Sequence, residues 1–454
     1  NFKKRFESYG WNYLNINGHN PKEIFKALRK VQNAKKPSVI SCKTKIGFGS
    51  PNKSGKASAH GSPLGDDEIN LVRKKLQWNH KPFVIPKNLL NEWRKIGKKG
   101  FLLEKKWNKI YFKNKNKINN LFNQNFSKEI KLEKKTAIKE LNPLATRKAS
   151  EKTLVRLTSR INSLIGGSAD LAGSNNTKTY NQKILKPGKF DGNYIHYGVR
   201  EHGMGSIMNG LKLHSKFIPY GGTFLIFSDY CKPAIRLSAL MEQQIIYVMT
   251  HDSIGLGEDG PTHQPIEQLS GLRAIPNLNV LRPADRMETI ECWDIALTSK
   301  TTPSILSLTR QNLDPIRKKY TIYNKCSLGA YEVLRTNKKI GLTILATGSE
   351  VNLAIETSHK LAKDRIYSKV ISMPCLDLFD QQSIAYKKKI LGETKNKISI
   401  EAASTDCWKK YIGSNGLSFG IDNFGKSAPY KDIYKHFGLT VTNIATQSKK
   451  LVRK

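Results

Sequence analysis

Cysteine is scarce in this sequence: there are six, Cys42, Cys231, Cys292, Cys326, Cys375 and Cys407, among 454 residues, and no two form a CxxC pair. That spacing excludes a disulfide framework, argues against a thiolate zinc site and fits a reducing, cytoplasmic compartment. Long hydrophobic runs are lacking too. Apolar residues make up 38% of the chain. No run approaches the roughly 20 residues of a membrane span, so the chain reads as soluble with no membrane partner. Acidic residues are outnumbered, 36 Asp and Glu against 77 Lys and Arg, for a formal charge of +41. Such a balance invites a nucleic-acid reading. The lysines are spread along the chain among Asn and Ile, however, and no compact basic stripe with interleaved aromatics stands out beyond residues 94 to 135. No nucleic-acid partner is expected, although the charge would attract phosphorylated substrates. An initiator Met and a targeting peptide are also missing at Asn1, so the chain is expected to begin inside a longer protein or to have been processed.

What is present gathers around His251 to Pro265, HDSIGLGEDGPTHQP. It follows Ile245 to Thr250, an apolar run without polar alternation that reads as a fully buried strand. Gly255, Gly257 and Gly260 are interleaved there with His251, Asp252, Glu258, Asp259 and His263. Glycine permits close backbone approach, while imidazoles and carboxylates supply exchangeable protons. In open α/β sheets ligands sit outside the carboxyl ends of strands, where this loop falls. A surface loop with scattered polar residues is the competing reading.

Taken in order, residues 1 to 50 give an aromatic-rich start, a helix over Pro21 to Asn33 and a strand over Ser38 to Cys42. The Gly/Ser/Lys loop from Gly47 to Gly65, with His60 near its end, reads equally as an anion cradle and as a flexible surface loop. Asp66 to about Lys135 is helical in pattern, with Trp78, Trp93 and Trp107 as its anchors. From Arg147 to Arg310 apolar runs alternate with helical patterns. Strands are predicted at Asn162 to Gly166, Tyr194 to Tyr197, Phe217 to Tyr220, Ile245 to Thr250, Asn279 to Leu281 and Ile305 to Thr309. The helices between them imply a largely parallel α/β sheet. Ser168, Asp170, Ser174, Arg200, Glu201, His251 and Arg310 all follow strand ends, which converges them on one rim. From about residue 325 a smaller α/β unit follows, with strands at Leu342 to Ala346, Lys369 to Met373 and Lys397 to Ile400. Its Thr347-Gly348-Ser349-Glu350 turn reads as a helix cap, and the unit as structural or regulatory.

Glu201 opens a helix that continues through Met204 and Met208, and the spacing puts the carboxylate on the core-facing side. A carboxylate there needs a fixed donor or keeps its proton, so it is either a helix-start residue or a general acid. Phe224, Phe227 and Tyr230 recur every three residues on the next helix, after a Gly221-Gly222 turn. Such a stripe is either core or a flat slot for a ring.

These residues carry a family resemblance. GGSADLAGSN (166 to 175), YIHYGVREHGMG (194 to 205), HDSIGLGEDGPTHQP (251 to 265) and TRQNL (309 to 313) resemble transketolase. So do CKTKIGFGSPNKSG (42 to 55), HGSPLGDDEI (60 to 69) and ATGSEV (346 to 351). The likeness runs in register from about Phe6 to the C-terminus. Related thiamine diphosphate enzymes share the Glu but not this loop set. The resemblance implies an α/β thiamine diphosphate-binding fold, with a parallel-sheet pyrimidine domain over 126-322 and a smaller C-terminal domain over 323-454. It implies transfer of a two-carbon ketol group from a ketose phosphate to an aldose phosphate, in the pentose phosphate pathway, through a covalent thiamine diphosphate intermediate. By the same resemblance Glu201 hydrogen-bonds the aminopyrimidine ring, Phe224, Phe227 and Tyr230 flank that ring, and Asp170 lies near the cofactor. His60 and His263 match the residues for proton transfer, and His60 also contacts cofactor and sugar. Asp259 matches the residue that reads a sugar hydroxyl, and Arg147, Ser174, His251 and Arg310 match the group that holds the sugar phosphate. A homodimer with its site at the subunit interface is implied, with Mg2+ or another divalent cation.

One departure stands out. The family's Gly-Asp-Gly metal motif and its downstream Asn do not occur here. Residues 1-125 are therefore expected to be only a remnant of the diphosphate-binding domain plus a helical linker, with no metal ligands. Such a chain would hold the cofactor loosely, as a truncated form or as half of a split enzyme inactive alone. A deoxyxylulose phosphate synthase is the competing enzyme reading.

Overall fold

The computed structural model describes residues 1–122, 126–336 and 338–453, and the chain divides into two compact units, Asn1–Lys113 and Asn114–Lys454. In the first unit β1 (Asn12–Asn17) and β2 (Ser38–Lys43) pair in parallel around the helix Pro21–Gln32. Asn20 starts that helix, because its side chain accepts from the backbone N–H of Lys22 and Glu23 while Pro21 sits at the first helical position. The Gly47 to Gly65 loop is tied down. Glu68, in the first turn of the helix Asp66–Lys75, accepts from the backbone and the side-chain amide of Asn52, both at 2.9 Å, and from the Ser50 hydroxyl. The expected tryptophan anchors fail: on the helix Lys87–Leu121 Trp93 is 76% and Trp107 59% exposed. That helix has no buried side chain among its described residues, so its aromatics have no core to enter.

In the second unit the short β3 (Leu144–Ala145) precedes a six-stranded sheet. Its strands are β4 (Leu164–Ser168), β5 (Tyr194–His196), β6 (Ile218–Phe224), β7 (Ile246–Thr250), β8 (Asn279–Leu281) and β9 (Ser304–Leu308). They lie in the order β5-β4-β6-β7-β9-β8, and every pairing is parallel. The unbroken apolar run of β7 is buried on both faces, as a central parallel strand requires. Helix Arg286–Thr298 covers one face. Its Trp293 packs edge-on against Tyr220 at 5.9 Å and donates to the Ser150 hydroxyl at 2.9 Å. β10 (Asn312–Leu313) returns antiparallel to β3.

A five-stranded sheet follows, made of β11 (Tyr331–Arg335), β12 (Leu342–Ala346), β13 (Ser368–Ser372), β14 (Lys397–Ile400) and β15 (Leu417–Phe419). Its order is β11-β13-β12-β14-β15, parallel except at β11. The α/β class with parallel sheets is as expected. The Gly221-Gly222 turn is not, because both residues lie inside β6. A Cβ on Gly221 would come within 2.8 Å of the sulfurs of Met204 and Met208. The glycine therefore serves close approach of the helix Glu201–His214 to the sheet, and not a change of chain direction.

Candidate active site

Strand register builds the rim. Thr250 at the end of β7 is level with Phe224 at the end of β6 and with Leu308 at the end of β9. His251 and Arg310 therefore leave adjacent strands at one height. His251 holds a left-handed φ of +60°, unusual for a residue with a Cβ and typical of functional turns. Asn175 braces this rim, donating to the Thr250 hydroxyl at 2.7 Å and the Thr223 carbonyl at 3.0 Å.

The β3–β10 pairing brings a second arginine in. Thr146 and Thr309 exchange backbone-to-hydroxyl hydrogen bonds of 3.0 and 2.7 Å, which fixes Arg147 beside Arg310. Arg147 donates to the Ser174 carbonyl, and Arg310 to the Leu256 carbonyl, each at 2.8 Å. Burial and the Arg310 charge both push the Arg147 guanidinium below its ordinary value, and its Nε is buried with no partner among the described residues. Two guanidiniums that repel each other, one with an orphaned donor, are a donor set for a phosphate.

His251 is 3% exposed and bonds through Nδ1 to the Thr250 hydroxyl at 2.9 Å. Burial, then the charges of Arg147 and Arg310, hold its pKa down to about 3 from 6.5. Between those values the unfolded chain binds a proton that the folded chain refuses, so this stability is complete above pH 6.5 and lost as pH falls toward 3. His251→Gln is expected to remove roughly 2 kcal/mol of the stability lost between about pH 7 and about pH 5. Urea unfolding at the two pH values measures it, and an unchanged loss contradicts a neutral buried imidazole.

The aromatic residues form one continuous group, although Phe224 ends β6 and only Tyr230 lies on the helix Ser228–Leu240. Phe224 and Phe227 stack at 5.6 Å with planes 5° apart, Phe227 stacks on Tyr230 at 5.9 Å, and His251 stacks on Phe224 at 3.7 Å. His263 stands edge-on to both Phe rings, at 6.2 and 5.7 Å. Glu201 opens its helix with Met204 and Met208 buried on the same face, as the spacing predicts, and is 7% exposed. Among the described residues no side chain donates to its carboxylate. Its charge nevertheless reaches Cys231, whose thiol is raised to about 12 by burial, then by Glu201 and Asp229. Cys231 Sγ lies 3.9 Å from the Phe227 carbonyl, and its helix Ser228–Leu240 packs against the helix that Glu201 opens.

Asp170 is exposed after β4 at φ +61°, and Ser174 is half-buried on the turn Ala172–Asn175. Asp259 is exposed, and half-buried His263 bonds through Nδ1 to the Thr262 hydroxyl at 2.9 Å. His60 belongs to the first unit, where it is exposed after the turn Ala57–Ala59. Among the described residues no three His, Cys, Asp or Glu side chains are grouped to hold a metal ion. No helix among them is long and apolar enough to cross a membrane. The sequence reading missed Arg282, Gln264 and Asn175. Arg282 carried a signal, since it follows the end of β8 just as His251 follows the end of β7.

Comparisons with known proteins bear on the whole chain. The family model "Transketolase, pyrimidine binding domain" matches residues 142–315, "Transketolase-like TK C-terminal domain" matches 329–440, and "Transketolase, thiamine diphosphate binding domain" matches 1–133. A transketolase of Sinorhizobium medicae is 44% identical, covering 99% of this chain and 66% of its own length. One of Buchnera aphidicola is 43% identical, covering 98% and 69%. A solved transketolase from Pichia stipitis, in complex with sedoheptulose 7-phosphate, superposes with a TM-score of 0.89 at 36% identity, covering 99% of this chain and 68% of its own. The chain thus spans about two thirds of the length of these relatives. The match over residues 1–133 corrects the expectation that most of the diphosphate-binding domain is absent, and the expected loose hold on the cofactor loses its ground with it.

Proposed function

Because the chain belongs to the transketolase family, we propose that it transfers a two-carbon ketol group from a ketose phosphate to an aldose phosphate, with thiamine diphosphate as its cofactor. The observation that supports this reading most is the strand register, Phe224, Thr250 and Leu308 side by side, which brings the residues we assign to ring and anion binding to one rim. Bound thiamine diphosphate supplies an electron sink for cleaving a carbon–carbon bond beside a carbonyl. The rest falls to this chain's own side chains. Glu201 hydrogen-bonds a ring nitrogen and moves a proton there, since no described side chain donates to its carboxylate. Phe224, Phe227 and Tyr230 offer flat faces to the ring, and Asp170 borders it. His263 and His60 move protons at the sugar hydroxyls and carbonyl, and Asp259 reads a hydroxyl. Arg147, Ser174, His251 and Arg310 hold the phosphate, and the neutral His251 adds a hydrogen bond without a third positive charge.

A divalent cation such as Mg2+ is proposed for the diphosphate, with no ligand assigned in this chain. We read domains at 1-125, 126-322 and 323-454, and a cytoplasmic homodimer. Exposed Val199, Ile207, Tyr230, Leu237 and Leu240 support a partner subunit.

The test is a coupled assay with xylulose 5-phosphate and ribose 5-phosphate, run against pyruvate and glyceraldehyde 3-phosphate. Turnover of the first pair alone is expected; turnover of the pyruvate pair would favour a deoxyxylulose phosphate synthase and sink this reading. Arg310→Ala is expected to raise KM for phosphorylated sugars by roughly tenfold to a hundredfold, the worth of one charged hydrogen bond, and to leave unphosphorylated ones nearly unchanged. Equal losses for both would count against a phosphate contact.

A further inference from the structure

The Thr347-Gly348-Ser349-Glu350 turn does not cap the helix Glu350–Lys363, because Ser349 makes no side-chain bond to that helix's backbone. The turn is wrapped around Arg282. Arg282 donates to the Thr347 carbonyl at 3.1 Å, the Glu350 carboxylate at 2.6 Å and the Ser349 hydroxyl at 3.3 Å. In return the Arg282 carbonyl accepts from the Gly348 N–H and the Thr347 hydroxyl, both at 3.2 Å. A Cβ on Gly348 would come within 2.8 Å of three Arg282 atoms, so only glycine lets the turn close. The other edge of the guanidinium donates to Asp252 at 2.9 Å, the residue after His251. Arg282, Asp252, Glu350 and Glu401 are all buried. Burial opposes the Arg282 charge, but Glu350, Asp252 and Glu401 outweigh it.

The C-terminal part also grips the far end of the same loop. Gln264 bridges the Gly257 and Lys426 carbonyls at 2.9 and 2.8 Å, and the Ser427 hydroxyl donates to the Glu258 carbonyl at 2.6 Å. Asp259 and His263 lie between these grips.

We infer that the turn at residues 347–350 is a clasp for Arg282, and that Arg282 is a positioning residue through which the C-terminal sheet sets the loop from Asp252 to Gln264. Calling that loop the substrate loop rests on the function proposed above. Removing Arg282 outright would strip the whole buried cluster, so gentler variants serve. Glu350→Gln keeps the shape and removes a charge, and Ser349→Ala removes the hydroxyl that accepts from Arg282 and donates to Glu350. Glu356→Gln, exposed on the same helix, is the control.

Amide hydrogen exchange of the purified full chain is the primary readout. In Glu350→Gln the amides of residues 253 to 263 are expected to exchange about tenfold faster, and less than that in Ser349→Ala, while the helix Glu201–His214 keeps wild-type rates. In the same variants KM for the sugar phosphates is expected to rise by about tenfold with thiamine diphosphate affinity unchanged. Loop exchange at the wild-type rate in both variants would overturn the inference. Uniform acceleration across both sheets would overturn it too, since the clasp would then only hold the fold. A faster loop in a protein that transfers no ketol group leaves the clasp standing and removes the functional reading instead.

Discussion

Glu201→Gln is expected to lower turnover by roughly 10²- to 10⁴-fold, the usual worth of a positioned acid–base group. The fold should survive, because the amide matches the carboxyl in shape and no described side chain depends on the carboxylate as an acceptor. Thermal unfolding should stay within about 1 kcal/mol of wild type. The effect follows from where the carboxyl sits. It opens a helix brought against β6 by Gly221, lies on the buried face with Met204 and Met208, and its helix packs on the one that carries Cys231 and Tyr230. Near-normal turnover in this variant would show that its burial has no part in the chemistry.

Arg282→Met is expected to destabilise the chain by about 3–5 kcal/mol, because it leaves Asp252, Glu350 and Glu401 buried around a missing cation. Arg273 can offset part of that charge, since it bonds both oxygens of Glu401 at 2.8 Å. Among the described residues Asp252 and Glu350 have no second cation in a salt bridge. Asp252 is already raised by burial against the pull of Arg282, and without Arg282 it would rise further. A group raised in this way destabilises the ionised fold and does so less once protonated. The loss should therefore be largest near about pH 8 and shrink toward about pH 5. Urea unfolding across that range measures it; a loss below about 1 kcal/mol, or one independent of pH, would mean the cluster contributes little.

Much of this was legible in the sequence because the governing signals are local. The central strand has no polar alternation, the Glu201 face has helical spacing, and charged residues follow apolar runs where a parallel sheet opens. What escaped depends on distant partners. Gly221 and Gly222 carry the composition of a turn, yet their missing side chains serve contacts with Met204, Met208, Asn175 and Thr177. Phe224 shares a three-residue spacing with Phe227 and Tyr230, but the chain is still a strand at that point. β1, β11 and β15 are edge strands of mixed polarity, with no period-2 pattern strong enough to announce them. Arg282 lies 30 residues from Asp252 and 68 from Glu350, so nothing near it in the sequence discloses its role.

A crystal structure with thiamine diphosphate and Mg2+ tests the central claim most directly. The pyrimidine ring should lie against Phe224 and Phe227 with the Glu201 carboxyl about 3 Å from a ring nitrogen. A ring bound elsewhere, with Glu201 facing only protein, would contradict it.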